Sequence, residues 1–111
     1  MKDEIRKYLT DIKISIEAIN SYIEGKKIFS EFENNRLVRM AVERELEIIG
    51  EAVSRIKKAD NNFPISSASK IKGTRNIIAH EYDRVDTKAI WSIVINHLPA
   101  LLVEVENLLS K

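Results

Sequence analysis

Apolar residues recur at three- and four-residue steps along most of this chain, and that spacing constrains its fold more than any other feature. In the first segment, Ile5, Tyr8, Leu9, Ile12, Ile16, Ile19 and Ile23 fall on one face of a helix over roughly 2–24. Gly25 stands where a C-terminal cap is expected. Ser30-Glu31-Phe32-Glu33 has the spacing of a capping box, so a long helix is expected to start there or within the next turn and to run to about Ala59. Its stripe is Val38, Val42, Leu46, Ile49, Val53 and Ile56, with Gly50 inside it. Asp60-Asn61-Asn62-Phe63-Pro64 breaks the pattern and reads as a loop.

Two further helices are expected. Ser66 or Ser67 can cap a short one reaching about Ala79, with Ala68, Ile71 and Ile78 inward. Asp86 can cap the last, which carries Trp91, Val94, Leu98, Leu101, Val105 and Leu108. Pro99 lies inside that last stretch. It lacks the N–H that would bond the Ile95 carbonyl, so the helix should kink or split there. The expected fold is all-α: one antiparallel bundle of four main helices plus short pieces, a single domain over 1–111.

Composition closes off other classes. Three Gly and two Pro are too few for a turn-rich β fold. The absence of Cys removes disulfides, a thiol nucleophile and Cys-based zinc sites. Met1 to Lys7 has no apolar signal core, and no run of about 18 apolar residues occurs, so a cytoplasmic protein without a membrane span is expected. A net charge of +1 and a pI near 8.0 are not the global footprint of a strong nucleic-acid binder; any such contact must be local. The two histidines, His80 and His97, fall in no metal-ligand spacing, and no Gly-rich phosphate loop occurs, so neither metal nor cofactor is expected. Glu43, Glu47 and Glu51 recur at four-residue steps and read as a solvated or interface face. His97 and Trp91 read as structural.

The stretch Gly73-Thr74-Arg75-Asn76-Ile77-Ile78-Ala79-His80-Glu81-Tyr82 concentrates the chemistry. A guanidinium can hold phosphate oxygens and steady charge that develops on them. An imidazole near neutral pKa can give or take a proton. Arg75 and His80, five residues apart, would sit about 140° around and about 7.5 Å along an ideal helix. They would not meet on one phosphate from a single straight helix. Either the helix unwinds near Ala79 or the site draws on two chains. The plainer alternative is that both cations sit near a helix C-terminus, where they favour the dipole.

This stretch resembles the HepT-like toxins of the HEPN superfamily. Their signature is Arg, four to six residues, His, one residue, Tyr, matched here by Arg75, His80 and Tyr82. Arg75-Asn76 before an apolar triplet, Val85-Asp86, Trp91 and Leu98-Pro99 fit the same pattern. So does Ala41-Val42-Glu43-Arg44 leading to Ile48-Ile49-Gly50-Glu51-Ala52, so the resemblance covers about 30–110. Thr74 departs from it, standing where many relatives have Met, and no aromatic lies between Phe63 and Arg75.

The resemblance implies a HEPN-like homodimer with its motifs at a shared cleft and a metal-independent endoribonuclease acting by 2′-hydroxyl attack. It gives Arg75 and His80 catalytic roles, with Asn76 and Tyr82 supporting them. It implies an MntA-like nucleotidyltransferase antitoxin that attaches AMP to Tyr82. The alternative is a non-catalytic nucleotide- or partner-binding subunit of such a nucleotidyltransferase.

Overall fold

Burial follows the periodic residues. In the computed structural model, which describes residues 1–65 and 86–111, the first helix α1 spans Asp3–Tyr22. Ile5, Leu9, Ile12, Ile16 and Ile19 are all buried along it, and Asp3 and Glu4 in its first turn complement the positive end of the helix dipole. The helix closes on a Schellman motif: the Gly25 N–H donates to the Asn20 carbonyl and the Glu24 N–H to the Ser21 carbonyl, both at 3.0 Å. The left-handed residue at C′ is Glu24, with φ of 56°; Gly25 follows at 68°.

The long helix starts later than its capping box suggests. Ser30 lies inside a separate short helix, α2 (Phe29–Glu33), and caps nothing. The chain turns at Asn34 and Asn35, and α3 runs Arg36–Ala59. Asn35 is the N-cap, its side-chain oxygen accepting from the Val38 N–H at 3.1 Å. The reason for the break is visible in burial. Phe32 must reach the core, where its ring lies 4.9 Å from that of Trp91. A helix continuous from Ser30 would fix the direction of Phe32 by the axis of α3. Val42, Leu46, Ile49, Val53 and Ile56 are fully buried along α3, and Gly50 is buried with them. Lys57 and Lys58 end the helix on the favourable side of its dipole.

The loop at 60–64 forms as expected. Asp60 accepts from the Asn62 N–H, and Lys57 donates to the Phe63 carbonyl at 2.6 Å, drawing Phe63 and Ile65 into the core. The short helix expected from Ser66 or Ser67 to Ala79 lies outside the described residues.

Asp86 is the N-cap expected of it, its carboxylate accepting from the Ala89 N–H at 3.1 Å. The last helical stretch is split: α4 spans Thr87–Asn96 and α5 spans Leu98–Leu109, bent by 43° about His97. Pro99 lies in the first turn of α5, where a missing N–H leaves no bond unmade. α1 packs antiparallel to α3, with Tyr22 reaching Glu45 at one end and Lys2 reaching the Ala59 carbonyl at the other. It also packs against α5, where Arg6 donates to the Leu109 and Lys111 carbonyls. The described elements are all helical, and Leu98, Leu101 and Val105 complete the core between them.

Candidate functional site

Arg75, Asn76, His80 and Tyr82 all lie within 66–85, outside the described residues. What the structure defines is the frame on either side. Ile65 is buried where the chain leaves α3 and its loop. Asp86, four residues after Tyr82 in sequence, begins α4 as a side-chain cap. Both flanks are therefore pinned, one by burial and one by a hydrogen bond.

Trp91 follows in the second turn of α4. Its ring is tilted against Phe29 at 6.2 Å and Phe32 at 4.9 Å, so it is half-buried as an anchor for α2, in keeping with a structural role. A cavity of about 210 Å³ opens beside it, walled by Phe32, Val38 and Ile23 and rimmed by Lys26, Glu24 and Glu31. His97 is half-buried at the bend between α4 and α5, its backbone N–H donating to the Ile93 carbonyl. That is a structural place.

Glu43, Glu47 and Glu51 of α3 differ from one another. Glu43 is half-buried, and burial raises its pKa; Arg39 opposes that shift and Glu47 adds to it. Glu47 pairs with Arg44 at 3.5 Å and Glu51 with Arg55 at 2.8 Å, as on a solvated face. Beside them α1 brings up Tyr8 and Asp11, and a groove of about 460 Å³ runs between these and Arg44, Ile48 and Glu51. The sequence pattern gave no sign of this meeting, because residues some forty positions apart face one another only once α1 and α3 have packed. Tyr22, at the other end of α1, donates to Glu45 at 2.8 Å, and that bond to a carboxylate holds its pKa above the ordinary phenol value. Among the described residues no group of three or more His, Asp or Glu is placed to hold a metal ion. No single described helix is long and apolar enough to cross a membrane.

Comparison with known proteins adds what the frame does not contain. A candidate RNase of Methanocaldococcus jannaschii is 39% identical over 95% of this chain and 96% of its own length. A candidate RNase of Caldanaerobacter subterraneus is 32% identical over 96% of this chain and 95% of its own. A ribonuclease of Thermococcus cleftensis assigned to the HepT type is 31% identical over 97% and 98%. No solved structure matches the chain. The family model described as "Ribonuclease HepT-like" matches residues 12–108, which takes in the second half of α1 as well as the segment from about 30 onward. With this match over most of its length and a relative 39% identical over 95% of it, the chain belongs to the HepT-like ribonuclease family.

Proposed function

We propose that this protein is a metal-independent endoribonuclease and the toxin of a toxin–antitoxin pair. The observation that carries the reading is that the family match over 12–108 contains Arg75, Asn76, His80 and Tyr82 in the order and spacing of the family's motif. The names of the relatives support the same class of reaction.

In the proposed step the RNA 2′-hydroxyl oxygen attacks the adjacent phosphorus. A bond forms from phosphorus to the 2′-oxygen and the bond to the 5′-oxygen breaks. The products are a 2′,3′-cyclic phosphate and a 5′-hydroxyl. His80 acts as general base toward the 2′-hydroxyl or as general acid toward the departing 5′-oxygen. Arg75 holds the phosphate and stabilises its added charge. Asn76 orients one of these groups, and Tyr82 helps hold the substrate. Because Arg75 and His80 diverge on a straight helix, the reading places the site at a cleft shared by two copies of the chain.

A nucleotidyltransferase partner of the MntA type would silence the site. The Tyr82 oxygen attacks the α-phosphorus of ATP, pyrophosphate leaves, and AMP remains on the phenol. The new phosphate brings negative charge beside Arg75 and His80 and competes with RNA for them.

The test is cleavage of RNA by the purified protein, with and without EDTA, beside His80→Ala. The expected result is cleavage unaffected by EDTA and a loss of at least about 10²-fold in the variant. Undiminished cleavage by His80→Ala would remove the imidazole from the mechanism. A mass gain of one AMP on the wild type but not on Tyr82→Phe, after incubation with the partner and ATP, tests the silencing step. The low net charge of +1 favours a second reading, a nucleotide- or partner-binding subunit without cleavage. Growth arrest on expression without the partner separates the two.

A further inference from the structure

We propose that the cavity beside Trp91 receives an arginine side chain of a protein partner, with its guanidinium between Glu24 and Glu31. The proposal goes beyond the nuclease reading and does not depend on it.

Size narrows the occupant first. The cavity holds about 210 Å³, below the roughly 300–1,000 Å³ typical of sites for small molecules and cofactors. It suits one inserted side chain. Ile23, Phe32, Val38 and Trp91 give it an apolar lining. Tyr22 and Ile28 join them at 37% and 48% exposure, two of the large apolar residues that the fold leaves open. An arginine offers an aliphatic stem for such a lining and a flat cation that stacks on an indole ring.

The polar groups decide the sign of its charge. The Tyr22 hydroxyl already donates to Glu45, and the Asn35 side-chain oxygen is taken up in capping α3. Of the charged residues that line the cavity, Glu24 and Glu31 outnumber Lys26. The cavity is therefore negative in a chain of net charge +1, which turns away a phosphate or carboxylate ligand and favours a cation.

Lys26 marks the place. Its ammonium lies 3.7 Å from a Glu24 oxygen and 4.0 Å from a Glu31 oxygen, beyond hydrogen-bonding distance from both. All three side chains are more than half exposed, so these pairs are weak. An ammonium is a point charge, whereas a guanidinium presents its donors in a planar fork and can meet two carboxylates at once. The carboxylates are held in advance. Glu24 sits in the left-handed turn after α1, where the Glu24 and Gly25 N–H groups donate to the Ser21 and Asn20 carbonyls. Glu31 rides on α2, which Phe29 and Phe32 fasten to Trp91. Little ordering is left to be done on binding, as suits a pocket for a single anchor residue of a partner.

Trp91 is the single tryptophan of the chain, so its fluorescence reads occupancy of the cavity. The probe is N-acetyl-argininamide, which carries the side chain without the charged termini of the free amino acid. It should bind saturably with a Kd of about a millimolar. N-acetyl-citrullinamide, uncharged and nearly the same shape, should bind at least about tenfold more weakly. Glu31→Gln should weaken the arginine probe about fivefold or more, and Lys26→Ala, by removing the competing cation, should tighten it about twofold or more. Circular dichroism confirms that each variant is folded; should Glu31→Gln not fold, Lys26→Ala and the two probes decide. Absence of saturable binding, equal binding of the citrulline probe or of N-acetyl-leucinamide, or a Lys26→Ala protein that binds no tighter than wild type would overturn the proposal. So would unchanged binding by folded Glu31→Gln, or tighter binding of free arginine than of the capped probe, which would mark a metabolite site. None of these measurements uses RNA. Their failure leaves the nuclease reading where it stands, and the outcome of the cleavage assay has no bearing on this pocket.

Discussion

Glu24 holds a backbone conformation that an L side chain adopts at a cost. It occupies the left-handed position that ends α1, at φ of 56°, and Gly25 takes 68° immediately after. The sequence suggests Gly25 as the capping residue; in the structure it is one place late. Glu24→Gly should therefore raise stability by about 0.5–1 kcal/mol, seen as a higher midpoint in urea. Gly25→Ala should lower it by about 1 kcal/mol. A methyl group there meets nothing within 4 Å, so backbone strain is its whole effect. Glu43 gives a pH signature of the same kind. Burial raises its pKa above the ordinary 4.5, so the folded chain binds that proton more tightly than the unfolded chain. The contribution favours folding at low pH and is lost as pH rises through the interval above 4.5. Glu43→Gln should unfold at a higher temperature than wild type at neutral pH, with the advantage shrinking as pH falls to that interval.

At the scale of elements, the instructive case is the start of α3. Ser30 and Glu33 have the spacing of a capping box, yet both fall in α2, and the cap of α3 is Asn35. The two signals compete in sequence, and tertiary packing of Phe32 against Trp91 decides between them. Asn35→Ala should cost about 1 kcal/mol, whereas Ser30→Ala should be neutral within about 0.5 kcal/mol. Equal losses in chemical denaturation would put the helix start back at Ser30. Pro99 behaves in the opposite way. Its effect is local and covalent, so the split between α4 and α5 is readable directly from the missing N–H. Asp86 is equally legible, because an N-cap needs only its own side chain and the N–H three residues on.

At the scale of the whole molecule, stability rests on aliphatic residues shared between helices. Leu9, Leu46 and Leu101 are each fully buried, on α1, α3 and α5. Leu101→Ala should cost about 2–5 kcal/mol in equilibrium unfolding, whereas Ile14→Ser, at an exposed position of α1, should change stability by less than about 0.5 kcal/mol. The candidate site was legible as chemistry, since Arg75, Asn76, His80 and Tyr82 stand close together in a distinctive order. It was not legible as geometry, because residues five apart would diverge on an ideal helix, and sequence spacing does not choose between an unwound turn and a site built from two chains.

The sequence by itself determined α1, the body of α3 and the last two helices with their buried faces, the cap at Asp86 and the break before Pro99. Each follows from interactions within a few residues or from a period of 3.6. Tertiary structure decided where α3 begins and which residue bears the left-handed turn after α1. It also brought Tyr8 and Asp11 beside Arg44 and Glu51. Those outcomes depend on which helix faces meet, and burial between distant segments outweighs local signals worth about 1 kcal/mol each.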